Sequence, residues 1–429
     1  MTTQAAARQA RSAAPRPFGL VDELNCYFDA PAEPNNVHLE LWLPGHLDPA
    51  RLRAAVAAAL AAEPLAGGRR ARGGWWRGGF TWEFPPAADE DPVATAAWRD
   101  EAELEESRER FMAAAPPLDR SPPFRLLLAQ GQERDSLILN AHHAAFDGRS
   151  CLRLLRLIAE HYDGTGLVPP APGQRWETRL PRTAGTAWPG GRAVRGVRYK
   201  GRIAPRNADG QRTRTAPGYG FFLLGWPGVP AVAGGTVNDL LVAALIEAIG
   251  DWNAAAGRRP GRVLISMPVD ARGPGGGDEL GNLSRLCTVT ADPSAADLLA
   301  AVAAQTGPAK RQPGPPVGPA LTAVARMPLP TAVKRRAVRL AVRTVGRVQC
   351  DTSLLSNLGN VTEPPRFGSL TPDRMWFSTT AHMPRGLSAG VVTVGGRLSV
   401  CFRYRHALFD FSAARDFAAL FVAALERNP

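Results

Sequence analysis

The stretch Asn140-Ala141-His142-His143-Ala144-Ala145-Phe146-Asp147-Gly148-Arg149-Ser150 puts two imidazoles and a carboxylate into one turn. An imidazole has an ordinary pKa of about 6.5, so a neutral histidine there can accept a proton from an attacking amine or hydroxyl. Leu137, Ile138 and Leu139 before the turn form a short apolar run suited to a buried strand. After it, Cys151, Leu154, Leu155, Ile158 and Tyr162 recur with helical spacing. The histidines therefore sit where a strand ends and a helix begins. Ser150 reads as the N-cap of that helix, and Gly148 as a residue that turns the backbone with positive φ.

His-His-x-x-x-Asp-Gly resembles the signature of the condensation-domain and chloramphenicol-acetyltransferase-like superfamily, whose members move acyl groups from thioesters. Phe124 to Leu128, a polar gap, the apolar run, the motif and the helix to Tyr162 follow that superfamily's order. The resemblance implies an α/β (α+β) fold of two chloramphenicol-acetyltransferase-like lobes, a V-shaped pseudo-dimer around a central tunnel. It implies that His143 points into the tunnel as general base while His142, Asp147 and Gly148 hold the turn. The alternative for the motif is two histidines merely satisfied in a turn.

Around the motif the chain alternates strands and helices. Val37 to Leu43 alternates as a strand, and Asp48-Pro49 starts an alanine-rich helix to Ala62 that buries Leu52, Val56 and Leu60. Trp75, Trp76, Phe80, Trp82 and Phe84 form an aromatic cluster on strands around Gly78-Gly79, either core or a wall of the substrate channel. Glu101 to Met112 reads as a surface helix closed by Pro116-Pro117. From Val168 to Pro217, Pro, Gly and Arg dominate, as in a connector that is either a solvated crossover or a docking patch for an acidic partner.

Gly220 to Leu224 reads as a strand, and Thr236-Val237-Asn238-Asp239 opens a helix that is apolar almost all round and so belongs inside, with Asn238 and Asp239 as caps. Thr-Val-Asn-Asp at this place again resembles the family. So does Pro268-Val269-Asp270-Ala271-Arg272 followed by Gly281-Asn282, from which the resemblance makes Arg272 the bidentate partner of Asp147. Lys334, Arg335, Arg336, Arg339, Arg343 and Arg347 recur near helical spacing, as a solvated face or a second docking surface. Ser356-Asn357-Leu358-Gly359 matches a family pattern too. It implies that Ser356 and Asn357 face the tunnel and donate to an oxyanion, the alternative being a polar strand-to-turn cap. Two alternating strands around Gly395-Gly396 read as a hairpin, and Ser412 to Leu425 as a last helix.

The 429 residues are enough for a large core and an enclosed site. The formal charge is +12, yet lysine occurs only at 200, 310 and 334, so arginine carries the excess in a chain also rich in Ala, Gly and Pro. That pattern gives no case for nucleic acid, although a basic surface suits an acidic carrier protein or coenzyme A. The cysteines at 26, 151, 287, 350 and 401 are scattered, with no Cys-x-x-Cys pair, which fits a reducing cytoplasm and no metal. No apolar run is long enough to span a bilayer, and Met1 to Arg16 lacks the apolar core of a secretory signal. Gly-x-Ser-x-Gly and His-Glu-x-x-His are both absent, and Gly273 to Gly277 lacks the ending of a phosphate loop.

These readings divide the chain into a disordered tail at 1–17, a first lobe at 18–175 carrying the motif, a basic connector at 176–216 and a second lobe at 217–429. The function implied is a stand-alone, monomeric condensation enzyme of natural-product biosynthesis. Its donor is an acyl or peptidyl carrier protein with a phosphopantetheine arm, its acceptor a small amine or alcohol, and it holds no bound cofactor. An acyl-coenzyme A acyltransferase, a non-catalytic carrier-binding module and an epimerase are the alternatives; no second acid is assignable for the last.

Overall fold

The computed structural model describes residues 14–73, 76, 78–165, 202–206, 218–259, 261–272, 279–311, 319–344 and 351–427. In the first half these are β1 (Arg16–Pro17), α1 (Leu20–Phe28), β2 (Asn36–Leu43), α2 (Pro49–Ala62), β3 (Arg69–Arg70), β4 (Thr81–Glu83), β5 (Val93–Ala97), α3 (Glu101–Met112), β6 (Phe124–Gln130), β7 (Asp135–His142) and α4 (Gly148–Tyr162). The second half holds β8 (Tyr219–Trp226), α5 (Val237–Ala255), β9 (Val263–Asp270), β10 (Ser284–Ala291), α6 (Leu298–Arg311), α7 (Pro319–Arg326) and α8 (Thr331–Thr344). It ends with β11 (Ser353–Val361), β12 (Arg374–Ser378), β13 (Leu387–Val394), β14 (Arg397–Arg405) and α9 (Phe411–Arg427).

Two large sheets result, ordered β12-β2-β7-β6-β5 and β10-β9-β11-β13-β14-β8. The apolar triplet of β7 is explained by cover on both faces. Leu137 and Leu139 pack with Leu154, Leu155 and Ile158 of α4 and Leu52 and Val56 of α2, while Ile138 packs with Leu104 of α3 on the other side. α3 is thus half inside, not a plain surface helix: Arg108 reaches through to a fully buried Glu40 on β2, Nε to Oε2 at 2.6 Å and Nη2 to Oε1 at 2.9 Å. In the second half α5 is buried almost all round between its sheet and α6 and α9. Asp239 closes its first turn in a capping box with Thr236, and Asn238 takes no part in that cap.

The strand order corrects the division by sequence. β12, assigned to the second lobe, is the edge strand of the first sheet, antiparallel to β2 with Trp376 opposite Glu40 and Ser378 opposite His38. The physical reason is its apolar side chains: Met375 and Phe377 are buried in the first core, which Leu358 and Val361 of β11 and Val392 and Val394 of β13 also enter. Arg16 and Pro17, assigned to the tail, pair with Trp82 and Thr81 of β4. Of the connector only 202–206 lies within the described residues; there Ile203 and Ala204 join the second core. Trp82 and Phe84 are core, with Phe18 stacked on Trp82 at 4.0 Å, whereas Trp76 is largely exposed and Trp75 lies outside the described residues.

Two local expectations at the motif also change. The N-cap of α4 is Asp147, whose Oδ1 accepts from the Ser150 amide at 2.8 Å, so Ser150 is inside the helix. Gly148 is absent from the positive-φ glycines. A Cβ there would lie 2.7 Å from the Phe377 ring and 2.9 Å from Leu358 Cδ2, so the constraint is close approach by β12 and β11. Gly148→Ala is accordingly expected to destabilise by about 1–3 kcal/mol through overpacking, with Phe377→Leu in the same chain recovering part of the loss. Denaturant midpoints check this; no recovery in the double variant would return the constraint to the backbone.

Candidate functional site

At the end of β7 the chain tightens at once: the amides of Ala145 and Phe146 both donate to the His142 carbonyl, at 2.9 and 3.2 Å. His142 is buried; its Nδ1 accepts from the Ala144 amide at 3.0 Å within the turn, and its Nε2 lies 3.8 Å from Asp29 Oδ2. His143 is held differently. Its amide donates to the Asn35 carbonyl at 2.9 Å and its carbonyl accepts from Asn25 Nδ2 at 3.1 Å. Its Nδ1 lies 3.1 Å from the Phe146 carbonyl. A carbonyl only accepts, so the neutral ring carries its proton on Nδ1, and Nε2 is left as the acceptor nitrogen. The hydroxyl of Thr379, just past β12, lies 3.4 Å from that Nε2. Burial lowers the His143 pKa below the ordinary value, against the opposing pull of the Asp147 charge.

Asp147 is surrounded. Arg272 meets it bidentately, Nη2 to Oδ1 at 3.0 Å and Nη1 to Oδ2 at 3.1 Å, with 1% and 5% of the two side chains exposed. Oδ2 also accepts from the Leu283 amide at 3.0 Å and the Ser284 hydroxyl at 3.3 Å. Arg272 in turn donates to Asp270 Oδ1, the Ser150 hydroxyl and the Glu279 carbonyl. The carboxylate is committed on every side and points into this cluster. Asn282 completes the grip from the same segment, donating to the Ala144 carbonyl at 2.8 Å and to Asp22 Oδ1 at 3.1 Å. Burial raises the Asp22 carboxyl to about 6.

Ser356 and Asn357 do not share a face. As neighbours on β11 they point to opposite sides of the sheet. Asn357 donates to Asn238 Oδ1 at 3.3 Å at the start of α5, and its own Oδ1 accepts from the Gly359 amide. Ser356 is buried, and the register of β11 shifts beyond Asn357. The pair therefore cannot line one wall together.

The basic stripe of α8 has a structural use. Arg335 and Arg339 donate to the carbonyls of Cys26, Tyr27 and Asp29 at the C-terminal end of α1. Lys334 is buried with Glu23 of α1 at 3.3 Å. These contacts steady the helix that carries Asn25; Arg336 remains exposed, and the Arg343 and Arg347 side chains lie outside the described residues. Asn25, Asn35, Thr379 and His382 are site residues that the sequence did not disclose. The only signal was the polar run Ser378-Thr379-Thr380-Ala381-His382 directly after an apolar stretch. Among the described residues no three His, Cys, Asp or Glu side chains cluster so as to hold a metal ion, and no helix is long and apolar enough to cross a membrane.

No family model matches the chain. Its fold is shared by the condensation domain of the monacolin K polyketide synthase MokA, with a TM-score of 0.65 at 12% identity over 97% of this chain and 98% of that one. The first condensation domain of the CDA synthetase gives 0.63 at 16% identity, covering 98% of each chain. The wax ester synthase/diacylglycerol acyltransferase from Marinobacter aquaeolei VT8 gives 0.60 at 15%, over 96% of this chain and 99% of that one. The molecule thus shares its two-lobe fold with these condensation domains and this acyltransferase. Two uncharacterised proteins of Mycobacterium tuberculosis, Rv2305 of strain H37Rv and MT2362 of strain CDC 1551, are each 33% identical over 416 residues, spanning 90% of this chain and 93% of their own. The chain belongs to one family with them.

Because both members of the ion pair are buried, Arg272→Ala is expected to lower stability by about 3–5 kcal/mol, by leaving Asp147 uncompensated. Arg272→Lys is expected to recover only part, since an ammonium cannot make the bidentate contact. Urea unfolding measures both; a loss below about 1 kcal/mol for the alanine variant, the range of an exposed pair, contradicts the anchoring role.

Proposed function

We propose that the protein is a condensation-type acyltransferase. It takes an acyl group from a phosphopantetheine thioester on an acyl or peptidyl carrier protein and passes it to a small amine or alcohol, making an amide or ester in natural-product biosynthesis. The observation that carries this reading is the state of His143: Nδ1–H is committed to the Phe146 carbonyl, burial favours the neutral ring, and Nε2 is the acceptor nitrogen, facing the Thr379 hydroxyl. The condensation-domain and acyltransferase neighbours support the reaction class. The excess of arginine over acidic residues suits an acidic donor. The described cysteines are buried free thiols, in keeping with a reducing cytoplasm.

In the proposed step the acceptor takes the place beside Nε2 that the Thr379 hydroxyl now occupies. Its N–H or O–H proton passes to Nε2 as its lone pair attacks the thioester carbonyl. The tetrahedral oxyanion collapses, the C–S bond breaks, and the imidazolium returns the proton to the leaving thiolate. No acyl-enzyme forms. Ser356, its neighbour on β11, is the remaining candidate donor to the oxyanion, Asn357 being engaged with Asn238 and Gly359. Asp147 and Arg272 act by fixing the turn.

The test is mass spectrometry of thioester consumption, with acyl-carrier-protein and acyl-coenzyme A donors offered against a pool of amines and alcohols. Wild type is expected to consume the carrier-bound donor with new product, and His143→Ala to abolish transfer at an unchanged unfolding midpoint. Consumption of the coenzyme A donor alone would replace the carrier in this reading; carrier binding without consumption would make the protein a binding module. The pH profile follows from the lowered His143 pKa. The neutral base is present above the folded-state pKa, so the rate is expected to climb on an acid limb below about pH 6.5 and to be flat above it. An acid limb centred above 6.5 contradicts the assignment.

A further inference from the structure

A chain of hydrogen bonds runs from the second sheet to the main chain of His143. His382 lies four residues past β12, its ring 6.1 Å from that of Phe28. Its Nε2 is 3.3 Å from Asn35 Oδ1 and its Nδ1 is 3.3 Å from the Tyr219 hydroxyl. The directions can be worked out. Asn35 Nδ2 sits 2.7 Å from the Asn25 carbonyl, so it is the donor end of that amide, and Oδ1 faces His382 as an acceptor. His382 Nε2 must then carry the proton, and Nδ1 accepts from the Tyr219 O–H. At the far end, the Asn35 carbonyl accepts from the His143 amide, and Asn25 Nδ2 donates to the His143 carbonyl. The two peptide groups of His143 are thus gripped by two asparagines, and one of these takes its orientation from His382.

We propose that His382 is a positioning residue, an Nε2-protonated neutral imidazole that sets Asn35 and Asn25 and so fixes the backbone of His143. The proposal rests on the reading of His143 as the base. The arrangement requires His382 to stay neutral, because a protonated Nδ1 could no longer accept from Tyr219. Its surroundings enforce this. Arg385 stands three residues on, paired with Asp351; Arg403 reaches Asn36 and lies with its guanidinium 4.2 Å from the Tyr219 ring; and Arg405 meets Glu33, which accepts from the Met383 amide. Burial first, then these three guanidiniums and His143, press the His382 pKa down to about 3. The ring therefore keeps one protonation state over the working range, and it acts as a fixed connector where His143 is the group that titrates.

Two variants separate this role from others. His382→Leu removes both hydrogen bonds; His382→Gln can restore them, its Nε2 donating to Asn35 and its Oε1 accepting from Tyr219. The leucine variant is expected to lose at least tenfold in kcat at a KM within twofold of wild type, with the acid limb of the pH profile unmoved, because a neutral group has been deleted. Glutamine is expected to recover most of kcat. Equal kcat in both variants, a rise in KM alone, or a shifted acid limb overturns the proposal. Amide hydrogen exchange at His143 provides a readout that needs no substrate. The rate is expected to rise at least tenfold with leucine and to stay near wild type with glutamine, and an unchanged rate with leucine overturns the positioning role even if no acyl transfer is found. Should the leucine variant fail to fold, His382→Asn, too short to bridge both partners, replaces it with the same expectation.

Discussion

The buried pair of Arg272 and Asp147 is the constraint from which the rest of the site follows. Removing two charges from water is costly, and the pair is tolerable only because nearly every lone pair and N–H of both groups finds a partner. Those partners are the start of α4 and the segment from Glu279 to Ser284. The second half of the chain thereby fixes the first turn of α4. That turn in turn decides where the Phe146 carbonyl lies, and the Phe146 carbonyl decides which nitrogen of His143 is free. One electrostatic contact between halves thus reaches the tautomer of the candidate base.

The halves are joined in a second way, by exchange of material. β12 leaves the second half to pair with β2, and its Phe377 presses on the place where Gly148 must have no side chain. Having crossed, the chain delivers Thr379 and His382 to the motif from the far side, while α1 and the residue before β2 supply Asn25 and Asn35. The site is therefore built from segments of both halves and cannot form in either half alone. The arginines of α8 extend the same logic outward: they hold the end of α1, which holds Asn25, which holds the His143 carbonyl.

What the sequence disclosed and what it hid divide along a physical line. The apolar triplet of β7, the all-round apolar α5, the Asp48 cap and the Gly395-Gly396 hairpin were legible because each is a local pattern with a local cause. The resemblance named Arg272 as the partner of Asp147, and the two lie in bidentate contact. Gly148 was misread because a glycine in sequence signals backbone freedom, whereas here the cause is a ring from a distant strand. Ser356 and Asn357 were read as one wall because a shared motif does not show strand alternation. β12 is short and has no period of its own, so nothing in its residues reveals which sheet it joins. Asn25, Asn35 and His382 act through bonds to other segments, and single polar residues carry no local mark of that.

The most direct measurement is a titration of the ring nitrogens of His143 by 15N NMR on the full chain, with His143→Ala for assignment. The account predicts a ring that is neutral with its proton on Nδ1 at neutral pH and that protonates below about pH 6.5. A proton found on Nε2, or a midpoint above that value, would contradict it, since an unprotonated Nε2 facing Thr379 is what the whole arrangement of turn, ion pair and crossed strand serves to present.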